Sequence, residues 1–208
     1  MHTQNHADLA WLIDYAAGTL TPGFKTVIGG HLHSCAHCRE ELRVAETLGA
    51  RLVHEAKPLK PRLSPAAIRA KAVCQPAMQN ATEMNLQEYI ADSIGFDWHT
   101  LPWRAGTPGL RIARVQEDPA ERIWLLHANP GTVLPEHAHS GAELTLVVRG
   151  AYRSDARAYA AGDIDENDEN IIHRPIVTPS GDCICLLVFE GRLKFTGAFG
   201  VAQKILKF

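Results

Sequence analysis

The sequence predicts a multidomain α + β protein, with a small helical N-terminal domain followed by an all-β barrel of the jelly-roll kind. Three observations carry this expectation. Apolar residues recur at helical spacing as far as residue 56, and from about Phe96 short β-forming segments alternate with turn signals. The stretch His31-Leu32-His33-Ser34-Cys35-Ala36-His37-Cys38 concentrates metal-binding side chains where the chain is too short for a large core. A second histidine pattern, between Gly131 and Gly150, falls inside the β-rich part. The expected division is 1–80 for the helical domain with an internal linker at 57–63, 81–96 for a connector, and 97–200 for the barrel.

Composition narrows the function classes. With 46% apolar and 21% charged residues in 208, the chain reads as an ordinary globular protein. No apolar run reaches the length of a membrane span, and Met1-His2-Thr3-Gln4-Asn5-His6 lacks the basic flank and apolar core of a signal peptide. The expectation is a cytoplasmic protein with no membrane partner. Residues 1–80 carry nine Lys/Arg against six Asp/Glu (+3), and residues 81–208 carry twelve against seventeen (−5). Neither half is basic enough for nucleic-acid binding through phosphates, so the partner is a protein or a small molecule. Four of the five cysteines form the close pairs Cys35/Cys38 and Cys183/Cys185, which in a reducing compartment points to metal or redox work.

In chain order, residues 8–20 predict an amphipathic helix from Leu9, Leu12, Ile13, Ala16 and Leu20. Thr21-Pro22 is a start signal, cap followed by first-turn proline, for a second helix running toward His31. Gly29-Gly30 weakens that helix, so its end needs outside support. A third helix runs from Cys35 or Ala36 to about Ala56, with Leu42, Ala45, Leu48, Leu52 and Val53 as its buried stripe. Two prolines and three positive charges make 57–62 a linker. Ser64-Pro65 opens a short helix through Val73, Cys74 reads as an apolar filler, and 75–96 is polar and ambiguous. Strands are expected at Arg111–Val115, Arg122–Leu126, Leu144–Val148, Ala151–Arg153, Cys183–Phe189 and Leu193–Phe195.

His31-x3-Cys35-x2-Cys38 supplies three ligands to a closed zinc site that wants four nitrogen or sulfur donors. The spacing brings the three side chains to one face at a helix junction, where zinc would fasten the second helix to the third. Candidates for the fourth ligand are His2, His6, His33 and His37. His33 and His37 lie too near in sequence to close the tetrahedron without straining the turn, so His6, just before the first helix, is preferred.

In the β half, Gly131-x5-His137-x-His139-x3-Glu143-x6-Gly150 matches the first cupin motif at every specified position. His-x-His on a strand puts both imidazoles on one face. The second cupin motif is degenerate, leaving Gly162 and His173, with His173 as the fourth ligand beside His137, His139 and Glu143. Such a set suits Zn, Fe, Mn, Ni or Cu. The acidic run Asp163–Asn170 reads as a solvated loop, and Cys183 and Cys185 point to one face of their strand.

A histidine, His31-x3-Cys35-x2-Cys38 and then a single cupin motif, in that order, resembles the ChrR-type zinc-binding anti-sigma factors along nearly the whole chain. The resemblance implies a helical module that clasps an extracytoplasmic-function sigma factor and keeps it from RNA polymerase. It implies structural Zn2+ on His6, His31, Cys35 and Cys38, and a second Zn2+ on His137, His139, Glu143 and His173. It further implies a response role for Cys183/Cys185, and a cupin domain that releases the sigma factor on exposure to singlet oxygen or other oxidants. The competing expectation is a metal-dependent cupin enzyme, of dioxygenase or isomerase type, with an appended zinc module.

Overall fold

The computed structural model describes residues 3–56, 85–118 and 120–196. The linker at 57–63, the short helix after Ser64, Cys74 and His2 lie outside the described residues.

Four helices are described: α1 (Leu9–Ala17), α2 (Pro22–Ser34), α3 (Ala36–Glu55) and α4 (Leu86–Ile94). Helix α1 starts on Asp8, whose side chain accepts from Ala10 N, and stops at Gly18 in the left-handed region (φ 69°), three residues short of the expected end. Helix α2 begins at Pro22 as expected, but Thr21 does not cap it with its own side chain. The carboxylate of Glu121, far along the chain, accepts from Gly23 N at 2.9 Å, Phe24 N at 3.2 Å and the Thr21 hydroxyl. It satisfies donors that every helix start leaves open, so the barrel caps the helix.

Gly29 and Gly30 do not weaken α2; they let neighbours approach its backbone. A Cβ at Gly29 would lie 2.0 Å from the Tyr89 hydroxyl of α4, and one at Gly30 would lie 2.6 Å from Leu146 of the barrel. Helix α4 falls in the stretch that looked polar and ambiguous. Its Asn85/Glu88 capping box and the Gly95 stop mark both ends. The expected buried stripe of α3 is a larger departure. Leu42 is buried and Ala45 half-buried, whereas Leu48, Leu52 and Val53 are 59%, 61% and 76% exposed.

The β half contains β1 (Arg104–Ala105), β2 (Leu110–Asp118), β3 (Glu121–Ala128), β4 (His137–Ala138), β5 (Glu143–Arg149) and β6 (Ala151–Ser154). It continues with β7 (Arg157–Ala160), β8 (Ile164–Asn167), β9 (Ile176–Val177), β10 (Cys183–Phe189) and β11 (Lys194–Phe195). Six strands form one antiparallel sheet in the order β1-β2-β3-β10-β5-β8, faced by β7-β6-β9 and the small pair β11-β4. The sheet is covered on both sides, which is why β10 is buried at all seven positions. Ile184, Leu186 and Val188 pack with Phe24, Val27, Ile28 and Leu32 of α2 in one continuous core. Cys183, Cys185, Leu187 and Phe189 face the other way, into the barrel with Leu126, Val147 and Tyr152. The helices and barrel therefore share a core across the large sheet.

Only Asp168–Asn170 of the acidic run is a solvated loop. Ile164–Asn167 is the edge strand β8, and Asp163, Asp165 and Asn167 are buried. Tyr152 donates to Asp165 at 2.7 Å, one of several hydrogen bonds that hold these polar groups inside.

Candidate metal centres

The first cluster forms where α2 gives way to α3. The helix ends at Ser34, and Cys35 takes an extended conformation as the cap of α3. Its sulfur accepts from Cys38 N at 3.4 Å, so both sulfurs lie at the N-terminus of a 20-residue helix. Arg39 donates to the carbonyls of Leu32 (2.6 Å) and His33 (3.2 Å), supplying partners to the end of α2.

His31 Nε2 lies 3.2 Å from Cys38 Sγ, and His6 Nδ1 lies 3.3 Å from Cys35 Sγ. The four donor atoms of His6, His31, Cys35 and Cys38 all fall within 4.8 Å of one another. Zn–N and Zn–S lengths set donor separations of about 3.4–3.8 Å around a tetrahedral ion, close to these contacts. His31 is wholly buried, and its Nδ1–H donates to Gly162 O at 2.7 Å, which aims the Nε2 lone pair at the cluster. Burial lowers the His31 pKa and pushes the Cys38 thiol up to about 12. A cation between them reverses that balance for the thiol. Of the unused histidines, His37 is exposed beside Glu41 at 3.5 Å, and His33 is half-buried with its ring near Tyr89.

The second cluster lies inside the barrel. His137 and His173 pair across a short antiparallel bridge, exchanging backbone hydrogen bonds of 3.1 and 3.0 Å. His173 Nε2 is 3.0 Å from His137 Nε2 and 3.3 Å from His139 Nε2. Three imidazole nitrogens around one first-row ion require separations of about 3.0–3.4 Å. The His137 Nδ1–H donates to Pro135 O at 2.7 Å, fixing its tautomer with Nε2 inward. Burial, with the neighbouring imidazoles, holds His137 near pKa 4 and His139 near 3, so both stay neutral and able to coordinate at ordinary pH.

Glu143 departs from the expected ligand set. Its carboxylate is not among the converging donors; Oε2 lies 3.1 Å from His139 Nδ1, on the far side of that ring. It stands behind His139, on the side of the ring away from the other two histidines. Burial and Asp165 push Glu143 up to about 8, while Thr145 (3.2 Å) and Asn167 (3.4 Å) donate to its other oxygen. Among the described residues, His139 Nδ1, Glu143 Oε2 and His173 Nδ1 are buried and make no hydrogen bond. An otherwise apolar cavity of about 40 Å³ opens beside the cluster and is lined by His137, Glu143, His173, Tyr152, Cys183 and Cys185, among others. The two thiols are buried and 3.6 Å apart, and contact with Cys183 together with burial raises the Cys185 pKa well above the usual thiol range.

The structure thus brings together seven of the eight expected ligands in two groups and sets the eighth one step back. What sequence reasoning missed is the supporting role of Gly162, Asp163, Asp165 and Asn167. Ile164 is the only apolar residue from 163 to 167, too little to show the period of a strand.

Residues 91–194 match the family model of the ChrR cupin-like domain. The anti-sigma-E factor ChrR of Cereibacter sphaeroides is 32% identical over 199 residues, covering 94% of this chain and 93% of that protein. The crystal structure of Rhodobacter sphaeroides SigE in complex with the anti-sigma ChrR contains a similar chain. It superposes with a TM-score of 0.72 at 31% identity, covering 90% of this chain and 100% of that one. An RmlC-like cupin protein from Ralstonia eutropha is more distant, with a TM-score of 0.45 at 22% identity over 53% of this chain and 83% of its own.

Proposed function

The chain belongs to the family of the anti-sigma factor ChrR, and from that premise we propose that it binds and sequesters an extracytoplasmic-function sigma factor, blocking its access to RNA polymerase. The observation that carries the proposal is the end-to-end likeness to a chain solved in complex with its sigma factor. Helices and barrel are both included in that likeness, in the same order.

In this reading His6, His31, Cys35 and Cys38 hold Zn2+ and fasten α1, α2 and α3 to one another. Short helices are marginal alone, and structural zinc contributes roughly 10–16 kcal/mol of apparent binding energy. His137, His139 and His173 hold the barrel metal, Zn2+ by the resemblance, and Glu143 orients His139. The metal, when bound, supplies a fixed positive charge beside the cavity; the chain's own residues supply its shape and the thiols of Cys183 and Cys185. The barrel is then the part that responds to singlet oxygen or other oxidants, with this pair as the candidate responding groups.

The sigma-binding surface is assigned to the apolar side chains that the helices leave open. Val44, Leu48, Leu52 and Val53 of α3 are 59–76% exposed, and Leu9 and Ile13 of α1, which packs on α3, are 52% and 50% exposed. A soluble chain that leaves so many large apolar groups open on two packed helices has a partner for them. Leu48→Asp combined with Leu52→Asp is expected to weaken binding to the co-expressed sigma factor from the same genome by at least about thirtyfold. The melting temperature should stay unchanged, because both side chains are exposed. Undiminished binding by the double variant contradicts this surface.

A further inference from the structure

One short segment of the barrel touches His31 of the first cluster and Glu143 behind the second. The turn Ala160–Asp163 places Gly162 at φ +93°, a conformation suited to glycine, and seats it against the end of α2. A Cβ there would lie 2.8 Å from Ser34 Cβ and 3.2 Å from Thr3. From this position the Gly162 carbonyl accepts the His31 Nδ1–H at 2.7 Å. Asp163, 2% exposed, accepts from Gln4 N (2.8 Å), Asn5 N (3.3 Å) and the Asn5 side chain (3.1 Å). It thereby pins the residues just before His6. Glu166 accepts from Asp8 N at 2.7 Å, just after His6.

Strand alternation sends the other side chains of this segment inward. Asp165 takes the Tyr152 hydroxyl, and Asn167, paired across the ladder with Glu143, donates to its Oε1 at 3.4 Å. Glu143 in turn lies 3.1 Å from His139 Nδ1. A series of polar contacts along β8 therefore leads from Glu143, behind the barrel histidines, to the ring of His31 and to the backbone on either side of His6.

We propose that residues 162–167 form a strap that couples the two clusters, with Gly162, Asp163 and Asn167 as positioning residues, so that the state of the barrel cluster is read at Cys35 and Cys38. The physical warrant is that the outer nitrogen of His31 and the chain flanking His6 are held from the barrel rather than from the helices. Outer partners of this kind commonly change metal affinity by about 10–100-fold, and coupling between sites is carried by such packed, hydrogen-bonded elements. The inference rests on the proposed metal occupancy of both clusters.

The test uses the zinc-loaded full chain. Alkylation rates of Cys35 and Cys38 are followed by peptide mass spectrometry, which separates them from Cys183 and Cys185, alongside zinc content. His173→Ala, which dismantles the distant barrel cluster, is expected to speed Cys35/Cys38 alkylation by about tenfold, and Asp163→Asn by a similar factor. The double variant should be no faster than the faster single, because one strap is released only once. Should His173→Ala fail to fold, Asn167→Ala carries the test in the same direction. Glu121→Ala, which loosens the helices at the opposite end of α2, should leave these rates within twofold of wild type. A wild type holding zinc at both clusters, with rates unchanged in His173→Ala or Asn167→Ala, overturns the strap. So does a double variant equal to the product of the singles, or a Glu121→Ala rate matching Asp163→Asn. A wild-type chain that holds no zinc overturns the metal reading and the strap together.

Discussion

Glu121 is 3% exposed and forms no ion pair among the described residues; three donors at the start of α2 converge on its carboxyl group instead. Gly23 makes the approach feasible, since a Cβ there would lie 2.8 Å from the carboxylate carbon. Glu121→Ala removes the acceptor from two buried N–H groups and is expected to cost about 1–2 kcal/mol. Urea unfolding should show a lower midpoint with an unchanged slope; an unchanged midpoint contradicts the capping role. At this scale His31, Cys35 and Cys38 were legible because their spacing is local. His6 was preferred from its place before α1, and its ring stands beside Cys35. Glu143 was legible as a site residue but not in its role, because whether a carboxylate meets an ion or a ligand's far nitrogen depends on distances of one to two ångströms. Asp163 and Asp165 were misread because a run of charges has no sequence mark that distinguishes buried acceptors from solvated ones.

Among the elements, α2 owes its position to its glycines. Gly29→Ala forces a Cβ against the Tyr89 hydroxyl, and overpacking of this kind costs about 1–3 kcal/mol. Removing the hydroxyl with Tyr89→Phe in the same chain leaves the ring carbon 3.1 Å away, so thermal unfolding should show partial recovery. A double variant no more stable than Gly29→Ala contradicts this packing. Gly29-Gly30 looked like weakness because helix propensity counts only the helix itself, whereas here tertiary contact decides. The same limit explains α3: periodicity identified an apolar stripe correctly, but a stripe looks alike whether its cover is the protein's own core or a partner. Helix α4 was readable from Asn85 and Glu88, three residues apart, and its polar surroundings hid it.

Across the whole molecule, the tyrosines report whether helices and barrel stay packed on the large sheet. The chain has four, and burial raises all of them: Tyr15 to about 12, and Tyr89, Tyr152 and Tyr159 upward as well. Because the folded values exceed the unfolded value of about 10, folding favours the neutral phenol. That contribution is complete below pH 10 and is lost as pH rises through the folded values. Ultraviolet titration should therefore show little tyrosinate at pH 10 and a cooperative rise at higher pH as the chain unfolds. A tyrosine titrating freely near pH 10 contradicts the packing at its position. The order of a helical part and a barrel was legible, since both periodicities are plain. Their shared core was not, because β10 reads the same whether its second face meets helices or another sheet.

The central claim is that a metal-fastened helical part holds a sigma factor. It is tested most directly by measuring zinc content and sigma-factor affinity together, for the full chain and for Cys38→Ser. The wild type is expected to form a one-to-one complex, and the variant to lose both the N-terminal zinc and at least about a hundredfold of affinity. A Cys38→Ser chain that has lost that zinc and still binds the sigma factor as tightly as wild type contradicts it.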